Sequence, residues 1–397
     1  MGGLDSLLFQ GLEINLVMAR KESLGTNRPA LVVAGGIPPP IGGQALMVED
    51  FLVQLKTSGQ FRVFHWAFQF AGTAQTIRRI SWKKIGAAFF AIINLLKIRK
   101  TSGMIDVLLY PVGGPQTVPI LRDLLLLPWA LALCQRLILH FHAGGVDEGL
   151  SRQSALVRWL AGNLYCRSYA SISLTRFGVR ELSALGIKKI ETIPLDFRDT
   201  FDEKTVKRGE SSRPQLLCLG HVCEEKGSLL LLQAVRFCLE QGIDLQLVLA
   251  GDCLQPCSEK VLRGWIRSLG LESVVEWRGC VEGESKKTLF GQAELFLFPS
   301  LALESFGIVM VEAMMWGLPV MALDQRANYE VLCSPPEELR VRSPEVFAER
   351  LVEVIRQRSL WKEWGKENRE KFLQNHLRRS GKSRLVEFLA QTANEAM

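Results

Sequence analysis

Near the C-terminal end of the chain, Phe298-Pro299-Ser300, Glu304-Ser305-Phe306-Gly307, Glu312-Ala313-Met314 and Gly317-Leu318-Pro319-Val320 follow one another. Glu304 and Glu312 stand eight positions apart around a Phe-Gly step, after a strand-like run at 293–298. This pattern predicts a loop feeding a helix, with Glu304 in the loop and Glu312 about two turns into the helix. The free N–H groups and dipole of a helix start attract anions. Carboxylates placed there repel a phosphate unless they are aimed at hydroxyls. A ligand with both phosphate and sugar hydroxyls, such as a nucleotide sugar, suits that arrangement. On their own, the two acids read equally as helix-start residues favoured by the dipole.

A second cluster lies upstream in Gly220-His221-Val222-Cys223-Glu224-Glu225-Lys226-Gly227. A glycine lets the backbone approach a phosphate, and a lysine just before a helix adds a point charge. Lys226 also reads as a solvated lysine, since Glu224 and Glu225 are close by. Gly251 and Gly279 follow, each at an expected strand-to-helix transition.

Short β-rich runs alternating with helical stretches must position these groups, which is the signature of parallel α/β sheets. Strands are expected at 30–34, 62–68, 107–110, 137–141 and 171–174, with a helix from about 44 to 55 after the Pro38-Pro39-Pro40 and Gly42-Gly43 loop. A charged stretch at 198–214 reads as a linker. The alternation then restarts, with strands at 216–219, 245–250, 274–277, 295–298 and 319–322. The domains are expected at 1–198 and 214–375, joined by 199–213, with a helix at about 376–397 packing back on the first domain. Two such doubly wound domains place a ligand cleft between them, at the C-terminal ends of both sheets.

With these elements in order, the chain resembles the retaining nucleotide-sugar glycosyltransferases of family 4, which have the GT-B fold. The matching residues are Gly220…Lys226-Gly227, Ala250-Gly251-Asp252, Gly279, Phe298-Pro299-Ser300, Glu304-x-Phe-Gly, Glu312-Ala313 and Gly317-x-Pro-Val. The likeness is dense over 216–322 and looser over the first domain. It implies that Glu312 binds ribose hydroxyls. Glu304, with the amides of Phe306, Gly307 and Ile308, would hold the transferred sugar, and Lys226 would stabilise the departing diphosphate. In the first domain, Gly42 and Gly43 resemble a glycine pair near the β-phosphate, a place they would also fill as turn residues. His140-Phe141-His142-Ala143-Gly144-Gly145 resembles an element that sets His142 beside the reacting sugar carbon; a structural histidine at a strand end is the other reading. The chain departs from the family at His221, where arginine is usual, and at Pro194-Leu195-Asp196, where Pro-Asn is usual. The first departure removes a fixed positive charge from the diphosphate site.

The composition is globular, 48% hydrophobic and 22% charged. Nine cysteines lack a Cys-x-x-Cys pattern, which points to reduced thiols in a cytosolic compartment. Neither a metal site nor an Asp-x-Asp motif is legible, so no metal or other cofactor is expected beyond the nucleotide sugar as co-substrate. Residues 1–28 do not read as a signal peptide, and no apolar window reaches membrane-spanning length. The net charge of +7 is concentrated: residues 51–105 hold nine basic side chains and no acidic one. Within that stretch Arg78, Arg79, Trp82, Lys83 and Lys84 open an amphipathic segment. It reads either as an interfacial helix on anionic lipid or as a core helix with solvated basic ends. Nucleic acid is not expected as a partner, because no binding-fold signature accompanies the charge.

The expected function is sugar transfer from a nucleotide-diphosphate donor to an acceptor hydroxyl, with a glycan or lipid-linked acceptor on the cytoplasmic face of the membrane. An epimerase or hydrolase of the same shape, and an inactive donor-binding subunit of a transferase complex, are the rival expectations.

Overall fold

The structure, a computed structural model, describes residues 28–38, 43–68, 82–209, 213–302, 304–379 and 383–395. Gly42, Arg78 and Arg79 lie outside the described residues, as do the side chains of Trp82, Lys83 and Lys84.

Two six-stranded parallel sheets organise the chain. The first contains β1 (Ala30–Ala34), β2 (Arg62–Trp66), β3 (Ile105–Pro111), β4 (Cys134–Phe141), β5 (Ala170–Ser173) and β6 (Ile190–Thr192), in the order β2-β1-β3-β4-β5-β6. The second contains β7 (Gln215–Leu219), β8 (Gln246–Ala250), β9 (Val275–Trp277), β10 (Leu295–Phe298), β11 (Val320–Leu323) and β12 (Arg340–Val341), in the order β12-β11-β10-β7-β8-β9. Central strands such as ALVVA in β1 and LFLF in β10 are buried at every position. Continuous apolar runs of this kind suit a parallel sheet covered by helices on both faces. Four buried clusters fill the two faces of each sheet.

Two short edge strands, β6 and β12, were not legible in the sequence. Each is two or three residues long, with too little apolar content to show a period. The 43–58 helix runs past the expected 44–55 boundaries.

Residues 199–209 dock on the second domain. Arg208 donates to the carbonyls of Gly317 at 3.1 Å, Phe290 at 2.9 Å and Trp316 at 2.7 Å. The chain crosses between the sheets twice, side by side, where Phe197 N donates to His376 O and Arg378 N donates to Phe197 O, both at 2.8 Å. Arg378 also binds Asp50 at 2.8 Å and Asp196 at 2.6 Å. Beyond this crossing, the Arg384–Asn394 helix sets Leu385, Val386 and Leu389 into the core of the first sheet.

Candidate active site

In an open parallel sheet, ligands bind beyond the carboxyl ends of the strands where the strand order reverses. In the second sheet that point lies between β7 and β10. The loop after β7 carries Gly220, His221 and Lys226, and the loop after β10 carries Ser300, Glu304 and Phe306. Between these loops and the first domain lies a cleft of about 230 Å³. It brings together Gly43, His142, Gly220, His221, Lys226, Glu304, Phe306, Gly307 and Ile308 among the residues expected from sequence. Gly251 and Glu312 do not line it.

Backbone contacts that only glycine permits hold the two loops together. Gly227 has φ +74°, and a Cβ there would lie 2.0 Å from the carbonyl oxygen of Pro299. Gly251 has φ +141°, and a Cβ there would lie 1.8 Å from the carbonyl oxygen of Gly220. Gly251 therefore acts behind the cleft, allowing the β8 turn to sit against the loop that carries His221 and Lys226. Gly251→Ala is expected to destabilise the fold by about 3 kcal/mol, because backbone must move to relieve the clash. Denaturant unfolding measures this, and a loss below about 0.5 kcal/mol would contradict the packing argument.

Gly307 takes φ +69° and starts the Ile308–Met315 helix without a side-chain cap. Its left-handed turn delays the helix, so Glu312 sits about one turn in rather than the expected two. The uncapped first turn presents Ile308 and Val309 to the cleft. The Ser228–Glu240 helix, capped by Gly227, also lacks a side-chain cap. Two helix starts with positive dipole ends thus flank Lys226 and Glu304.

The carboxylate of Glu304 pairs with the ammonium of Lys226 and accepts from Ser300 Oγ at 2.9 Å. Among the described residues lining the cleft, Lys226 is the one fixed cation and Glu304 the one acid. The pair keeps the cleft near neutrality until an anion competes for Lys226, which would free Glu304 to accept from hydroxyls. Glu312 is held separately: Lys286 Nζ donates to its Oε1 at 2.6 Å, and its buried Oε2 has no partner among the described residues. Lys286 was missed in the sequence because nothing in its spacing shows that its helix, Gly283–Gln292, faces Glu312.

His221 is half-buried; burial and the nearby Lys226 lower its pKa. It is therefore largely neutral at physiological pH and supplies no substitute for the fixed charge of an arginine.

The wall contributed by the first domain carries His142 at the end of β4. Its carbonyl accepts from Ser305 Oγ of the opposite domain, and its buried Nδ1 has no partner among the described residues. Burial and the nearby Arg122 lower the pKa of His142 to about 4. His140, two residues earlier, packs against Phe51 and is lowered to about 3, mainly by burial. Both rings are thus neutral near pH 7. The unfolded chain binds protons below its ordinary histidine pKa of about 6.5, while these buried rings refuse them until their lowered pKa values are reached. Stability should therefore fall with falling pH below that value, by about 1.4 kcal/mol per pH unit for fully buried His140. The difference in slope between the parent and His140→Phe, from melting curves between about pH 7 and pH 5, measures this share. Equal slopes would show that His140 does not set it.

Beside the cleft, Arg326 pairs with Glu148 and Glu181 of the first domain. Glu330 accepts from the amides of Arg176 at 2.6 Å and Phe177 at 3.1 Å, at the start of the Arg176–Ala184 helix. These contacts hold the two domains together next to the site. Among the described residues, no group of three or more His, Cys, Asp or Glu could hold a metal ion.

Residues 199–371 match the glycosyl transferases group 1 family. Those residues contain Lys226 and Glu304, which line the β7/β10 crevice, and Glu312, which does not line it. Over 133 residues the chain is 35% identical to phosphatidyl-myo-inositol mannosyltransferase of Mycobacterium leprae, covering 31% of this chain and 34% of that protein. It is 38% identical over 58 residues to the enzyme of that name from Propionibacterium freudenreichii, or 15% of each chain. The chain thus spans about a third or less of the length of these relatives. Among solved structures, sucrose-phosphate synthase from Thermosynechococcus elongatus superposes with TM-score 0.73 over 93% of this chain and all of that one, at 15% identity. Anabaena HepE, crystallised with UDP and glucose, superposes with TM-score 0.64 over 92% of this chain and 98% of that one, at 16% identity. The fold is GT-B: two Rossmann-like domains facing each other across a cleft.

Proposed function

We propose that the protein is a glycosyltransferase that moves a sugar from a nucleotide-diphosphate donor to an acceptor hydroxyl. The observation that carries this reading is the Lys226–Glu304 pair at the β7/β10 crevice, facing His142 of the opposite domain. The diphosphate would take Lys226 and the two uncapped helix starts, leaving Glu304 free for the sugar hydroxyls. Glu312, with one bare buried oxygen, would take the ribose hydroxyls. The acceptor hydroxyl oxygen replaces the diphosphate oxygen at the anomeric carbon, the diphosphate leaves with the electron pair of the broken bond, and its departing oxygen takes up the hydroxyl proton. Stabilising that charge falls to Lys226 and to backbone amides. Retention of configuration is part of the proposal through the resemblance to family 4.

The acceptor is proposed to be a lipid-linked or polysaccharide precursor on the cytoplasmic face of a membrane. The named activity of the mycobacterial relative, on a phosphatidyl-inositol acceptor, supports the lipid-linked class. No helix among the described residues is long and apolar enough to cross a membrane.

A thermal-shift panel of UDP-, GDP- and ADP-sugars tests the donor reading, since stabilisation follows from binding to the folded state. Stabilisation by one sugar nucleotide, followed by its acceptor-dependent consumption, is expected. Consumption of the donor without any acceptor would point to an epimerase or hydrolase instead. Binding with no transfer to any extract-derived acceptor would favour an inactive subunit, the reading that neutral His221 best fits.

A further inference from the structure

Three helices lie side by side over one face of the first sheet: Trp82–Ser102, Thr117–Leu133 and Ala155–Cys166. Their inner faces supply Ala91, Leu95, Leu126, Ala130, Ala161 and Tyr165 to a buried cluster. Amphipathic helices with this inward packing ordinarily turn polar residues outward. Here the outward positions are apolar as well. Phe89 and Phe90 lie on the first helix, with Phe89 67% exposed. Leu125 and Trp129 lie on the second, four positions apart and therefore on one stripe. Leu156, Trp159 and Leu160 lie on the third, with Leu156 65% and Trp159 63% exposed. Single exposed apolar residues are ordinary; aromatic and aliphatic stripes on three adjoining helices mark an interaction surface.

The exposed charge on these three helices has one sign among the described residues. Residues 82–105 and 149–180 contain no Asp or Glu. Lys97, Lys100, Arg158 and Arg167 are exposed on or beside these helices. The one acid within them, Asp123, is buried, accepting from Tyr110 at 2.8 Å, Tyr165 at 3.0 Å and Arg122 at 2.8 Å. An apolar, Trp-bearing face whose own helices expose basic side chains and no acid complements the interface of an anionic bilayer, where aromatics sit at headgroup depth and each nearby Lys or Arg is attracted.

The position of the face gives it a use. In a parallel α/β sheet each helix starts near the carboxyl end of the preceding strand, which is the cleft end. Leu156 and Trp159 lie in the first turns of their helix, and Phe89 lies about 10 Å from the start of its own. The face therefore begins toward the cleft end of the first sheet, and none of its apolar residues lines the cleft itself.

We propose that the outward faces of these three helices form a docking surface for an anionic lipid bilayer, seating the cleft mouth at the headgroup layer. This rests on the transferase reading only for its purpose; the surface itself stands on exposure and charge. It also assigns the apolar contact to side chains other than Arg78, Arg79, Trp82, Lys83 and Lys84.

The test uses the full chain with vesicles of phosphatidylcholine, with and without phosphatidylglycerol. The parent should co-sediment with the anionic vesicles and much less with the neutral ones. The Leu156→Gln/Trp159→Gln/Leu160→Gln variant should bind the anionic vesicles at least about tenfold more weakly, having lost three interfacial apolar side chains. Quenching of tryptophan fluorescence by lipids brominated on the acyl chain should diminish in Trp159→Phe, a substitution that keeps the packing. Thermal stabilisation by the donor, read on the same variants, reports the transferase reading separately: its presence without vesicle binding would overturn the docking surface alone. Equal sedimentation of parent and triple variant would overturn the proposal. So would a concentration-dependent dimer abolished by the same substitutions, which would give the face to a second copy. Vesicle binding that arises only after removal of residues 1–27 would give the face to that segment and likewise overturn it.

Discussion

Replacing Lys226 with alanine is expected to lower kcat/KM for the donor by about a thousandfold, equivalent to roughly 4 kcal/mol of transition-state stabilisation. Two losses combine in this variant. The described cleft loses its one fixed cation, and Glu304 loses its counter-ion in a site that must accept a diphosphate. His221, whose pKa is lowered mainly by burial, is a poor replacement at physiological pH even without Lys226 beside it. Lys226→Arg should recover part of the activity, because charge returns without the same point geometry. In the Lys226→Ala/Glu304→Gln double variant the losses should be less than additive, since the two groups interact directly. Steady-state kinetics with a stabilising sugar nucleotide measure all three. Parental kcat/KM in Lys226→Ala would remove the lysine from the diphosphate site.

Glu312→Ala should weaken donor binding by about a hundredfold, near 3 kcal/mol, with KM rising more than kcat falls. The ribose is remote from the reacting carbon, so contacts to it are largely shared by ground and transition states. The geometry sharpens the expectation. Lys286 fixes one oxygen of Glu312, and the other is buried and bare. A bound hydroxyl would satisfy it. Lys286→Ala should give a smaller loss, since it frees the carboxylate without removing the acceptor. The parent should discriminate against a 2′-deoxy donor, and Glu312→Ala should not. Retained discrimination in the variant would place the ribose elsewhere.

Much of the fold was legible because parallel strands buried on both faces leave continuous apolar runs, and all ten expected strands are present, those at 30–34 and 295–298 with the expected ends and the others with shifted ones. The runs at β1 and β10 are apolar throughout. Edge strands β6 and β12 were not legible, since two or three residues carry no period. The Arg384–Asn394 helix packs on the first sheet by means that the sequence does not show. Arg378 bridges to Asp50, 328 residues away in sequence, and no local pattern encodes such a contact.

At the site, the sequence by itself determined the chemical inventory: a lysine before a helix start, two glutamates around a Phe-Gly step, and a histidine at a strand end. Those types and spacings are local, and local steric and dipolar rules make them readable. Only the tertiary structure decided which groups meet. It paired Lys226 with Glu304, set Lys286 on Glu312, placed Gly251 behind the cleft rather than in it, and brought the His142 carbonyl to Ser305 across the domain interface. It also turned the stripes of three separate helices into one apolar, basic-rimmed face. These are contacts between residues tens to hundreds of positions apart. They depend on strand order and domain packing, which composition and periodicity do not carry.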